Sequence, residues 1–171
     1  TILLNSLNSD ILGGIIMEDP SFREFLRASN EMYKESDGLY HSLARHYGLS
    51  DCAFWILYSL REEGRPLTQT DLCNALHTSK QTVHSALKNL ETAGYIRLCS
   101  TPDDRRNKQI HLTDGGDLFL RSSIDLVFEI ERRAFLRLRP QESQQLLALQ
   151  HKHLQALRLE AGIILNLKPQ E

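Results

Sequence analysis

Apolar positions are spaced at three- and four-residue steps along most of this chain, the period of helices buried on one face. The clearest case is Ser79 to Ala93, where Val83, Ala86, Leu87 and Leu90 fall within about 60° of Val83 at 100° per residue. Gln81, Ser85, Lys88 and Thr92 fall within about 40° of the opposite side, with His84 on the flank. Around this helix the pattern predicts a short helix from Thr68, capped by Thr68 with Asp71, with Leu72, Cys73, Ala75 and Leu76 facing inward. His77-Thr78 is its turn. Ser79 is the cap of the second helix, and Gly94 ends it. The period then becomes two: Ile96, Leu98 and Ser100 alternate with Arg97 and Cys99, and Ile110 and Leu112 alternate with Gln109 and His111. Pro102-Asp103 begins the turn between these strands. The stretch reads as helix, turn, helix and a β-hairpin.

Upstream, Thr1 to Met17 is an apolar arm or short helix. A long helix starts at Pro20 and stops at Gly48, with Ser36-Asp37-Gly38 marking a bend. Ser50 caps a segment, CAFWILYSL, apolar on nearly every side and therefore central; its Trp55 is expected between the hairpin-bearing part and the rest. Downstream, Thr113 caps a helix expected to run unbroken from Asp114 to about Leu138. A last helix begins at Pro140 and carries Leu146, Leu149, Leu154 and Leu157. The fold class is mainly α with a small β-hairpin wing, a winged helix-turn-helix flanked by terminal helices. The expected organisation is residues 1–47 as arm and dimerisation helix, 48–113 as winged region and 114–171 as C-terminal dimerisation helices. The excess apolar surface of the flanks suggests burial between two copies of the chain.

Charge changes the picture. The chain as a whole is at −2, yet His77 to His111 holds six Lys or Arg against three acids, a local excess of +3. Such asymmetry concentrates an attraction for polyanions on one region. The exposed stripe of the second helix carries amide, hydroxyl and ammonium groups, which can contact base edges and phosphates, and no acid. Ser79, Lys80, Gln81, Thr82, His84, Ser85 and Lys88 are the candidate contacts on this helix. Asp104, Arg105, Arg106 and Lys108 are those of the hairpin. Lys80 and Lys108 suit phosphates. A winged-helix module that binds protein rather than DNA is the competing reading, and the acid-free stripe argues against it.

Other chemistries find little support. Cys52, Cys73 and Cys99 lack CxxC spacing and read as reduced thiols, although a thiol-based redox-sensing regulator is a further alternative. His151 and His153 splay on a helix, His41 and His46 are poorly spaced for a shared ion, and no metal or other cofactor is expected. No P-loop, dinucleotide or nucleophile-elbow motif is present, which argues against an enzyme. No apolar run reaches the roughly 18 residues of a membrane span, and no signal peptide is read at the N-terminus.

The run DRRNKQIHLTDGG, Asp104 to Gly116, resembles the wing signature of MarR-type regulators: Asp-x-Arg at Asp104 and Arg106, then Leu112, Thr113 and Gly116 as Leu-Thr-x-x-Gly. SKQTVHSALKNLETAGYI is similar to the recognition helix and its exit, and the likeness extends over about 21–165. This resemblance implies a cytoplasmic bacterial regulator, a repressor and obligate homodimer, placing each recognition helix in the major groove of a palindromic half-site. It further implies that Arg106 enters the minor groove, which suits a narrow, electronegative groove, with Asp104 orienting it. Effectors in this family often sit where dimer helices meet the winged domain. Tyr33, Tyr40, His41, Arg45 and Trp55 are the candidates there, suited to a small aromatic or anionic ligand.

Overall fold

The computed structural model describes residues 19–165 apart from 101–107. The chain divides into two compact units between Phe119 and Leu120.

In the first unit, α1 (Pro20–His46) starts where Asp19 accepts from the Ser21 and Phe22 amides and Pro20 holds the first turn. It runs unbroken through Ser36-Asp37-Gly38, where the sequence marks a bend. A single glycine costs a helix only about 1 kcal/mol relative to alanine, and the Ser42 hydroxyl donates to the Gly38 carbonyl at 2.8 Å. A left-handed Gly48 ends α1, its amide bonded to Arg45 O and that of Leu49 to Ala44 O. Then α2 (Asp51–Glu63), capped by Ser50, buries Ala53, Phe54, Ile56, Leu57, Ser59 and Leu60, as its all-round apolarity requires. Trp55 is half-buried and packs against Tyr40 at 4.9 Å and Phe54 at 5.3 Å.

Among the described residues the sheet has three strands, not two. Strand β1 (Leu67–Thr68) pairs with β3 (Gln109–Leu112), which pairs on its other side with β2 (Ile96–Cys99); both pairings are antiparallel. Ile96 and Ile110 point into the core beneath the sheet, as the alternation predicts. Between β1 and β2 lie α3 (Gln69–Ala75) and α4 (Lys80–Thr92). Thr68 and Asp71 make the expected capping box. On α3 only Leu72 is fully buried, and Ala75 faces solvent, a correction to the inward set predicted for that helix. Seven residues make too short a helix to bury a wide face.

Helix α5 (Asp114–Arg121) begins at Thr113, whose hydroxyl accepts from the Gly116 amide at 2.9 Å. The helix expected to continue to Leu138 breaks at Ser122-Ser123, and α6 (Ile124–Phe135) starts anew. Serines compete with the helical ladder through their own hydroxyls. The Ser123 amide makes a tightened bond to Leu120 O at 3.2 Å, and its carbonyl takes the amides of both Leu126 and Val127. Helix α7 (Pro140–Leu165) opens at Arg139, whose amide donates to the Glu142 carboxylate at 2.8 Å. No residue of α7 is buried, and Leu146, Leu147, Leu149, Leu154, Leu157 and Leu159 are all exposed. Among the described residues no helix is long and apolar enough to cross a membrane.

Candidate nucleic-acid interface

The amphipathic pattern of α4 is reproduced residue by residue. Val83, Ala86, Leu87 and Leu90 are buried, while Lys80, Gln81, Thr82, His84, Ser85 and Lys88 are exposed. Glu91 is exposed in the last turn and lies off the Gln81-Ser85-Lys88 stripe by about 60° or more at 100° per residue.

Several local devices fix this helix. Ser79 Oγ accepts from the Thr82 amide at 3.1 Å and lies 2.8 Å from the Thr82 hydroxyl, so both candidate residues first serve the helix start. Gln69 Nε2 donates to Lys80 O at 2.8 Å and ties α3 to the first turn of α4. His77 takes a left-handed backbone, φ 46°, to make the tight turn between the two helices. At the other end Gly94, φ 76°, allows the Gly94 amide to reach Glu91 O and the Tyr95 amide to reach Leu90 O, a Schellman closure.

The hairpin is anchored to that exit. The Thr113 amide donates to Tyr95 O at 3.1 Å, and its hydroxyl donates to Gly94 O at 2.5 Å. Gly116 lies against the Tyr95 backbone so closely that a Cβ would overlap the carbonyl oxygen and stand 2.9 Å from its carbon. Phe119 stacks on Tyr95 at 4.3 Å and 16°. Asp117 holds Arg61 of α2 at 2.9 Å, a partly buried pair that sequence reasoning missed because its members are 56 residues apart. The Leu-Thr-x-x-Gly motif is thus a staple between the exit of α4 and the helix after the hairpin.

Lys80 and His84 of α4 and Lys108 at the foot of the hairpin share the wall of a recess of about 240 Å³ with Gln69 and Leu98. Asp104, Arg105 and Arg106, and the turn at Pro102-Asp103, lie outside the described residues.

Of the five effector candidates, Tyr33 and Trp55 line an open cleft of about 900 Å³ between α1, α2 and α4. Tyr40 stands behind Trp55, and His41 Nδ1 is bound to Asp51 at 2.8 Å. Arg45 is exposed and lies off the cleft. Asp37 also lines the cleft. It passed unnoticed in the sequence because an expected bend at 36–38 hid its position one turn after Tyr33. Gln81 and Ser85 form part of the same wall.

All three cysteines are free and half-buried. Burial pushes the Cys52 thiol up, and the nearby Cys73 pushes it further, the opposite of what a thiolate sensor needs. Among the described residues no group of three or more His, Cys, Asp or Glu could hold a metal ion.

Residues 47–107 match the sequence profile of the MarR family. The HTH-type transcriptional regulator PecS of Dickeya dadantii is 34% identical over 105 residues, 60% of this chain and 63% of PecS, so the match spans less than two thirds of that relative. Among solved structures, Sco3205 from Streptomyces coelicolor, a MarR family transcriptional regulator in complex with DNA, superposes with a TM-score of 0.66 at 25% identity, covering 81% of this chain and 92% of Sco3205. MepR of S. aureus in its DNA-binding conformation gives 0.61 at 26%, covering 79% of this chain and 96% of MepR.

Proposed function

We propose that this chain, whose residues 47–107 match the MarR family profile, is a sequence-specific double-stranded DNA-binding transcriptional regulator of that family, a repressor acting as a homodimer on a palindromic operator and modulated by a small-molecule effector. The observation that carries the reading is the exposed, acid-free stripe of α4, with Gln81, Ser85 and Lys88 presented in a row by a buried opposite face. Gln contacts base edges, and Lys and Ser contact either bases or phosphates. Lys80 and Lys108, sharing one recess on the flank, suit neighbouring phosphates. Arg106, supported by Asp104, is the proposed minor-groove probe, with Arg105 beside it.

The homodimer reading rests on α7. A helix of 26 residues with none buried and leucines exposed along its length has apolar surface to cover, and a second copy covers it symmetrically. The effector reading rests on the cleft beside Tyr33 and Trp55. Selection of bound duplexes from a random pool tests the whole assignment. A recovered palindrome with half-sites about one helical turn apart supports dimer and operator together. Recovery of no sequence above background would sink the regulator reading, and an unsymmetrical single site would sink the dimer.

A further inference from the structure

The cleft between α1, α2 and α4 has a one-sided chemistry. Its walls include two carboxylates, Asp37 and Asp51, and two aromatic rings, Tyr33 and Trp55, but no Lys, Arg or His. The cations expected to favour an anionic ligand are elsewhere: Arg45 lies off the cleft, and His41 is spent on Asp51 at 2.8 and 3.0 Å. The N-terminal end of α2 also opens here, but Ser50 caps it and Asp51 already sets a negative charge in its first turn. An anion entering this cleft meets the open carboxylate of Asp37 and the His41-bound carboxylate of Asp51, with no Lys or Arg on the lining. A cation meets the open carboxylate of Asp37 beside two aromatic rings, groups that attract ammonium ions together. Among the described residues Asp37 makes no hydrogen bond or ion pair, so its charge is open to an incoming group.

The third wall, α4, decides what such an occupant does. Gln81 and Ser85 line the cleft and also belong to the exposed stripe of α4. We propose that this cleft takes a small aromatic cation, and that the occupant covers Gln81 and Ser85 and so displaces DNA directly from the recognition helix. The displacement rests on the DNA-binding reading above; the ligand class does not.

Trp55 is the single tryptophan of the chain, so its fluorescence reports the cleft alone. The probes are trimethylphenylammonium, benzyl alcohol as the neutral counterpart and benzoate as the anion. Saturable quenching by the ammonium, weaker for the alcohol and weakest for benzoate, is expected in the absence of DNA. Asp37→Asn, at an exposed position that leaves the fold intact by thermal unfolding, is expected to weaken the ammonium roughly two- to fivefold, the effect of one exposed charge pair. Benzoate binding as well as the ammonium, or an Asp37→Asn protein with unchanged ammonium affinity, overturns the ligand class. In a second arm, trimethylphenylammonium at saturating concentration is added to the protein on a selected duplex. Release of the duplex, requiring a higher concentration of the ammonium in Asp37→Asn, supports displacement, and an unaltered duplex affinity overturns it. Ammonium binding by a protein that binds no duplex at all leaves the ligand class standing and overturns the regulator reading and the displacement alone.

Discussion

Gly116 and Tyr95 are in backbone contact: the helix after the hairpin starts so close to the exit of α4 that no side chain fits between them. Alanine at 116 must therefore push α5 away from the strand, breaking the Gly116–Thr113 and Thr113–Gly94 hydrogen bonds that register the two. Overpacking of this kind typically costs about 1–3 kcal/mol. Gly116→Ala is expected to lower the urea midpoint accordingly and to weaken duplex binding, because the hairpin loses its fixed angle to the recognition helix. The adjacent Gly115 behaves in the opposite way. A Cβ there meets Gly94 O at 3.6 Å and Thr113 Oγ1 at 3.7 Å, ordinary contacts, inside the first turn of α5. Gly115→Ala is expected to stabilise by up to about 1 kcal/mol. Equal effects of the two substitutions would remove this account of the motif.

His77 carries the turn between α3 and α4 on a left-handed backbone, φ 46°. For a residue with a Cβ that conformation costs roughly 1–2 kcal/mol, and glycine escapes it at about 0.5–1 kcal/mol of chain entropy. His77→Gly is expected to raise stability by up to about 1 kcal/mol, and His77→Val, with a branched Cβ, to lower it. Paired denaturation curves of the two variants check the sign.

These positions show what the sequence could reveal. The face of α4 was legible because four buried and four exposed residues repeat at helical spacing over three turns, and propensity and packing agree. The capping box at Thr68 and the stops at Gly48 and Gly94 were legible as local chemistry. By contrast, β1 is two residues long, too short for any alternation to register, and becomes visible only through its pairing with Ile110 and Gln109. The unbroken path of α1 through Gly38 and the break between α5 and α6 at Ser122-Ser123 depart from the sequence expectation in opposite directions. A lone glycine is tolerated inside a long, well-capped helix, while two serines suffice where Ser123 is itself fully buried. The cleft was half-visible: Tyr33 and Trp55 were singled out, but its charge was not, since Asp37 and Asp51 come from two helices and meet only in three dimensions.

The capping box at the start of α3 makes stability depend on acid. The Asp71 carboxyl is held below its usual 3.8 chiefly by the Thr68 amide, then by the Thr68 hydroxyl. A depressed folded-state pKa contributes stability that is present above the unfolded value and lost as pH falls through the folded one. Wild type is therefore expected to exceed Asp71→Asn in stability at neutral pH, with the gap closing once pH drops below 3.8 and on through the lower folded value. Urea midpoints of both proteins on a descending pH series measure the gap. A difference that stays constant to the lowest pH would show that Asp71 acts through shape and not through charge.

Lys88 and Gln81 share the exposed stripe of α4, yet they should fail differently when removed. Lys88 is a point charge near the end of the helix, and its loss removes about one phosphate neutralisation. Lys88→Ala is expected to weaken all duplexes alike and to reduce the slope of log affinity against log salt by about 1. Gln81 is neutral, lies in the first turn and presents an amide suited to the edge of adenine. Gln81→Ala is expected to leave the salt slope unchanged, to cost about 1–3 kcal/mol on the selected operator, and to relax preference at one position in each half-site. Titrations of both variants on the selected duplex and on a scrambled one, at several salt concentrations, separate the two behaviours. If Gln81→Ala weakens both duplexes alike and leaves base preference intact, that side chain contacts backbone rather than bases, and base reading must fall to Ser85.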